Sequence, residues 1–385
     1  MNCALYIHIP FCVSKCDYCD FFSVPCNKIS DEYVDSLVKE INFYSKFYDV
    51  DSWSSVYVGG GTPSLLSENQ INRLFAEIFN SCKNFDKSSC EITMELNPES
   101  ITKEKLEVLE KNNVSRISVG IQSLNDNALK TVNRHCNSEN ALKALSLIKK
   151  YWKNQFNLDV IAGLPNQNSE EFVSSLKKII SFEPNHISMY TLTIEENTPL
   201  YKKIENGMDY DSDKSDEQWL LGKNILSENG YNQYEVSNFC RKGFESKHNM
   251  IYWTQNNYIG AGCSSCGTVY SENSGLRWNS TQNIKKYREF YSKYSLEEIK
   301  AFSKDELKSF EEKIPRETEN LDLQTLEFEY LMMSLRTVYG ADETVYKQKF
   351  SSVEPFCGNL EKRLGAAEGI WKEFEKEGRI NVFND

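Results

Sequence analysis

Basic charge is in short supply in this sequence: 44 Lys and Arg stand against 56 Asp and Glu, a formal net charge of −12. That balance excludes a nucleic-acid backbone or an anionic membrane as the chief partner, because either calls for a basic face. No stretch approaches the roughly 20 apolar residues needed to span a bilayer, and the opening MNCALYIHIPFC has neither the basic n-region nor the long apolar run of a secretory leader. A cytoplasmic protein is expected. Internal repeats and low-complexity tracts are absent too, so disorder is not expected as the main state. What is present suffices for a core. The 385 residues, 40% hydrophobic and 26% charged, suit one large soluble domain plus one small one.

Twelve cysteines in a reducing compartment read as thiols and metal ligands before disulfides. Cys3, Cys26, Cys82, Cys90, Cys240 and Cys357 are scattered singly and read as small buried hydrophobes.

From Tyr6 to about Phe239 short apolar runs alternate with amphipathic stretches. The expected strands are 4–9, 54–58, 91–96, 116–121, 157–162 and 186–193. In the first intervening helix Ser30 is placed to cap the N-terminus, with Val34, Leu37, Val38, Ile41 and Tyr44 at helical spacing. Further helices are expected near Thr102, Asn127, Glu139, Glu170 and Asp216. Strand–helix repetition implies a parallel sheet with right-handed crossovers, and six units suggest a barrel or open barrel. The expected divisions are 1–240 for this α/β unit, 241–319 for a loop-rich extension with polar helical sequence from Thr281 to about Lys313, and 320–385 for a small helical domain. That last domain holds a helix stopped by Gly340 and ends in a short strand within GRINVF.

CVSKCDYC, residues 12–19, carries C-x3-C-x2-C. Three soft thiolates on one loop suit an iron–sulfur cluster or zinc. A structural zinc usually takes four ligands, and Cys263 and Cys266 could complete such a set. A cubane cluster on three thiolates instead leaves one iron open. VGGGTPSLL (58–66) runs a strand into three glycines, which permit close backbone approach to a polar ligand. Polar residues recur at expected strand ends: Glu95 and Asn97, Gln122 and Ser123, and Asp159. The C-terminal end of a parallel barrel is where sites are built.

YIHIPFCVSKCDYCDF, GGGTPS, ELNPE, RISVGIQS, VNR, DVIAGLP, YEVSNF and HNMIYW, over about residues 4–262, resemble the radical S-adenosylmethionine (SAM) proteins of the oxygen-independent coproporphyrinogen oxidase group, and within it the HemW-type haem chaperones. The resemblance implies an α/β fold: a partial parallel (β/α) barrel of the radical SAM type with a small C-terminal helical, winged-helix-like domain. It implies a [4Fe-4S] cluster on Cys12, Cys16 and Cys19. Around SAM it places Tyr6 beside the cluster, Gly60, Gly61 and Thr62 at the methionine end, and Glu95, Gln122, Arg134 and Asp159 at the sugar and polar parts. An electron donor is implied, no nucleic acid, and a homodimer is left open.

Two readings follow from that resemblance. The oxidases carry a further cysteine where this chain has Phe21 and a longer segment before the cluster loop, whereas HNxxYW is a hallmark of the chaperones. The preferred expectation is a haem chaperone that binds haem and delivers it to haem-accepting proteins, membrane-bound respiratory enzymes among them. The alternative is a coproporphyrinogen III dehydrogenase-like oxidoreductase. His248 is then the candidate haem ligand, with Tyr252 and Trp253 able to pack on the macrocycle. The competing account of His248 is a buried structural histidine. His8 is expected to take a supporting or SAM-pocket role, His135 and Cys136 are a candidate haem-regulatory or metal pair with a helix-surface accident the preferred account, and Cys263 and Cys266 read preferentially as small residues of a tight turn.

Overall fold

The computed structural model describes residues 1–354 and 356–365. All six expected strands form: β1 (Asn2–Ile9), β2 (Ser52–Gly60), β3 (Glu91–Leu96), β4 (Arg116–Gln122), β5 (Gln155–Ala162) and β6 (His186–Thr191). Each lies parallel to its sequence neighbour. Such pairing needs a crossover, and amphipathic helices provide it: Asp31–Phe47, Glu68–Ser81, Lys103–Lys111, Ser138–Tyr151 and Ser169–Ile180. Val34, Leu37, Val38, Ile41 and Tyr44 are all buried, so the helical face read from the sequence is the one that packs. Burial of each such aliphatic side chain is worth about 1.5–3 kcal/mol. Ser30 precedes that helix in an extended conformation but makes no side-chain cap; complete capping boxes occur instead at Ser67 with Gln70 and Asn168 with Glu171.

The stretch from 241 to 319 departs from the loop-rich extension expected of it. After β7 (Asn232–Gln233) and β8 (Asn238–Cys240) come β9 (Tyr258–Ala261), β10 (Cys266–Tyr270), β11 (Gly275–Ser280) and β12 (Arg316–Leu321). The sheet order is β12-β11-β10-β9-β1-β2-β3-β4-β5-β6-β8-β7, an open twelve-stranded sheet. β9 is parallel to β1, so the second segment continues the sheet of the first. Glycine hid these strands. A Cβ on Gly260 would stand 2.0 Å from the Cys266 carbonyl oxygen, and one on Gly267 would stand 2.2 Å from the Trp278 ring. These glycines mark close approach within a sheet, not loop.

The polar helical sequence forms Ile284–Tyr291, Leu296–Ala301 and Lys304–Glu311. Their aromatic residues pack on the first crossover helix, Phe310 lying 4.6 Å from Phe43 between ring centroids. A second core, built on Leu321, Leu326, Tyr330, Tyr346, Phe350 and Leu360, begins where the small domain was expected. Its first helix, Leu323–Ser334, stops short of Gly340 and gives way to turns. The strand expected in GRINVF lies outside the described residues. Among the described residues no helix is long and apolar enough to cross a membrane.

Candidate metal centre and cofactor site

The C-terminal ends of β1 to β6 share one edge of the sheet, and the cysteine loop is strung across it. Phe11–Cys12 pairs with Val24–Pro25, and Cys26 N–H donates to the Cys12 carbonyl at 2.7 Å, closing the loop at its base. Its middle is held by Asp17, whose N–H donates to Val132 O, whose carbonyl accepts from Leu200 N–H, and whose carboxylate meets Lys203 Nζ at 2.5 Å. Behind that ion pair a cavity of about 880 Å³ opens among the loops after β4, β5 and β6.

Each thiol of the triplet has its own donor. Thr62 Oγ1 donates to Cys12 Sγ at 3.4 Å and Arg134 Nη1 to Cys16 Sγ at 3.6 Å, while the Phe21 N–H holds Cys19. The first two donors are themselves linked. Asn97 Nδ2 donates to Thr62 Oγ1 at 3.2 Å, and Arg134 Nη2 donates to Asn97 Oδ1 at 3.2 Å and to the Gly120 carbonyl at 2.6 Å. Phe21 itself is 70% exposed at the rim.

The glycine turn is spent on the protein. Gly60 N–H donates to Glu95 Oε2 at 3.0 Å, Gly61 N–H to Ile9 O and Thr62 N–H to Phe11 O. Gly60 has φ +111, and a Cβ there would press into the His8 ring at 2.6 Å; one on Gly61 would meet the Phe11 backbone at 2.7 Å. The glycines therefore let β2 seat the cluster loop.

Along β3, β4 and β5 the inward side chains are polar, in alternation with apolar ones that face the helices. Glu95 accepts from Tyr57 Oη at 2.8 Å, and burial, more than offsetting that bond, pushes its carboxyl up to about 7. Burial likewise raises Asp159, which Asn157 Nδ2 contacts at 2.7 Å. Arg116 lies at the base of this row, 3% exposed, and opposes the rise of both carboxyls. The sequence reading missed Arg116, although its two-residue spacing from Ser118, Gly120 and Gln122 puts it on the same face. Gln122 has φ +67 at a ladder irregularity. Its Oε1 and the Arg134 Nε are buried without a hydrogen-bond partner. A free acceptor and a free donor flank Gly120, where a Cβ would come within 3.0 Å of both side chains. That combination fits a ligand carrying hydroxyl, amino and carboxylate groups.

Tyr6 Oη lies 2.9 Å from His8 Nδ1, and His8 Nε2 lies 3.2 Å from the Phe22 carbonyl. A carbonyl can only accept, so Nε2 carries the proton and Nδ1 accepts from Tyr6. His8 thus ties β1 to the cluster loop, the supporting role expected of it.

His248 lies buried among hydrogen-bonding and aromatic partners. It is 1% exposed, Ser55 Oγ and Tyr252 Oη occupy its two ring nitrogens at 2.8 Å each, and Tyr57 stacks on it at 5.0 Å. Burial, reinforced by Arg116, depresses its pKa to about 3. In this arrangement the contacts match the structural-histidine account, and a role as haem ligand would require the ring to leave both partners. Helix Lys247–Trp253, which carries it, is seated by Glu91, whose carboxylate accepts from the backbone N–H of Lys247 and of His248. His135 is exposed whereas Cys136 is buried, which separates that pair.

Cys263 and Cys266 flank a turn in which Ser265 N–H bonds Gly262 O, with positive φ at Gly262 and Ser264. Cys263 Sγ donates to Thr281 O, and Cys266 Sγ meets Tyr258 Oη. Both thiols are thus engaged by local partners, as small turn residues would be. Among the described residues no three His, Cys, Asp or Glu side chains are grouped to hold a single metal ion. Burial pushes Cys3, Cys90, Cys136, Cys240 and Cys263 up to about 12.

The model of the Radical SAM superfamily matches residues 6–179. The haem chaperone HemW of Haemophilus influenzae is 36% identical over 295 residues, 74% of this chain and 75% of that protein. The chain belongs to the HemW group of the radical SAM superfamily. HemW of Escherichia coli K12 is 35% identical over 275 residues, covering 69% of this chain and 70% of its own. In fold, the chain is similar to the radical SAM coproporphyrinogen III oxidase HemN of Escherichia coli, with TM-score 0.78 and 21% identity over 97% of this chain and 83% of that one. That likeness establishes the α/β architecture. The cofactors of the superfamily are SAM and a [4Fe-4S] cluster, and the hydrogen-bonded thiols with the unpartnered Gln122 and Arg134 atoms fit them.

Proposed function

We propose that this HemW-group protein is a haem chaperone: it carries a SAM-binding [4Fe-4S] centre, binds haem and delivers it to acceptor haemoproteins, membrane-bound respiratory enzymes included. The observation that carries the cofactor half is the cysteine loop, in which Cys12, Cys16 and Cys19 each meet a separate donor. Hydrogen bonds to cluster sulfurs are how a protein tunes such a centre. Haem as cargo is supported by the names of the HemW relatives and by Phe21, which stands where the oxidases carry cysteine.

In this reading Cys12, Cys16 and Cys19 ligate three irons. Tyr6 braces His8 against the loop, and Gly60, Gly61 and Thr62 seat the loop beside the methionine end of SAM. Glu95, Gln122, Arg134 and Asp159 take the sugar and polar groups. A reduced cluster held there would supply one electron to the SAM sulfonium. The side chains orient that cofactor and exclude water from it. Glu95, Asp159 and Gln122 Oε1 can accept from hydroxyl or amino groups and Arg134 Nε can donate, with Glu95, Asp159 and Arg134 fixed in advance by neighbours already described.

Anaerobic reconstitution followed by haem titration tests the proposal. A saturable Soret change on cluster-loaded protein is expected; its absence with the cluster intact refutes haem carriage. Incubation with SAM, reductant and coproporphyrinogen should give no decarboxylated product.

A further inference from the structure

We propose that Asn97 joins two of the cluster thiolates into one hydrogen-bonded frame and thereby sets how readily the cluster accepts an electron. This rests on the reading that Cys12, Cys16 and Cys19 hold the cluster. The frame runs from Cys12 Sγ through Thr62 Oγ1, Asn97 Nδ2, Asn97 Oδ1 and Arg134 to Cys16 Sγ, every link between 3.2 and 3.6 Å. Asn97 is its centre because an amide donates and accepts at once. An ionised aspartate could hold Arg134 but could not donate to Thr62, and would instead draw the Thr62 hydroxyl proton away from Cys12.

The backbone of Asn97 is fixed on both sides. Its N–H donates to Ser64 Oγ at 3.3 Å, and its carbonyl accepts from Ser100 N–H and Oγ at 3.0 and 2.7 Å. The hub therefore sits on a β3 end that does not need the cluster to define it. Polar networks in low dielectric act as units, so loosening the hub loosens both sulfur donors. Reduction adds one electron, taken from an external reductant such as dithionite, and no proton. The added negative charge spreads onto the sulfurs, where aimed donors stabilise it. Removing them makes reduction harder. Asn97 touches neither sulfur and is a positioning residue.

The test uses the full chain, reconstituted with iron and sulfide and without SAM. Iron and sulfide contents come first, then the reduction midpoint by dithionite titration read by electron paramagnetic resonance. Asn97→Ala is expected to retain iron while its reduction equilibrium weakens about tenfold, a fall of about 59 mV for one electron. Thr62→Val should lower the midpoint as well. The double variant should fall by less than the two shifts combined, because both act on Cys12 through one path. An unchanged midpoint in Asn97→Ala, or fully additive shifts, overturns the coupling. If Asn97→Ala loses iron, the neutral Asn97→Ser decides: its side chain is too short to bridge Thr62 and Arg134, and its midpoint must also fall. A wild-type chain that takes up no iron overturns the cluster reading itself, a separate failure seen before any potential is measured.

Discussion

Replacing Glu40 with glutamine is expected to stabilise the protein at alkaline pH and to leave it nearly unchanged in mild acid. Glu40 is wholly buried in the first crossover helix. One oxygen accepts from Gly262 N–H at 2.7 Å and Tyr287 Oη at 2.6 Å, while the other has no partner, as is true of the nearby Tyr291 hydroxyl. Burial lifts the carboxyl from 4.5 to about 7 against those two bonds. A raised acid binds its proton more tightly in the folded state, so stability falls as pH rises from the unfolded value through the folded one. At about 1.4 kcal/mol per pH unit the loss accumulates to ~3 kcal/mol by pH 8. Glutamine keeps an acceptor for Gly262 and Tyr287, offers an N–H to Tyr291, and carries no charge to desolvate. Urea denaturation of the metal-free protein at pH 5 and pH 8 should show the variant gaining ~2–3 kcal/mol on wild type between those values. Parallel pH profiles for the two proteins would refute the reasoning.

Alanine at Cys12, Cys16 or Cys19 should abolish iron and sulfide retention on anaerobic reconstitution, whereas Cys263→Ser and Cys266→Ser should load normally; iron loss in either serine variant would restore the zinc-type set. SAM affinity, followed by equilibrium dialysis, should weaken as pH falls below about 7, because protonation of Glu95 removes an acceptor, and this dependence should vanish in Glu95→Gln. His248→Ala should cost ~2–4 kcal/mol in denaturant midpoints through a cavity and two lost hydrogen bonds. The haem stoichiometry of its folded fraction should be unchanged, and loss of haem binding without loss of stability would reinstate it as a ligand.

Much of the parallel half was legible because strands buried on one side by helices show their period directly. The run RISVGI places Ile117, Val119 and Ile121 outward and Arg116, Ser118 and Gly120 inward without further information. β9 to β12 escaped notice because their sequence carries glycine where backbones must approach, which reads locally as turn. The site was legible by type and not by contact. GGGTPS marked a place of close approach, yet the sequence could not say that Gly60 yields to the His8 ring and Gly61 to the Phe11 backbone. His248 was left between two accounts for a related reason: one histidine beside two aromatics suits a macrocycle or a packed core equally well, and its partners Ser55 and Tyr252 could not be read from the sequence.

The elevated thiols of Cys3, Cys90, Cys136, Cys240 and Cys263 have a practical corollary. At neutral pH they are protonated and shielded, so a mild alkylating reagent should be confined to the half-buried Cys12, Cys19, Cys26, Cys82 and Cys266 and the exposed Cys357, the last serving as an internal reference. Mass-spectrometric counting of labelled sites would then report cluster occupancy in protein taken straight from cells, because labelling of the loop relative to Cys357 rises only as the centre is lost.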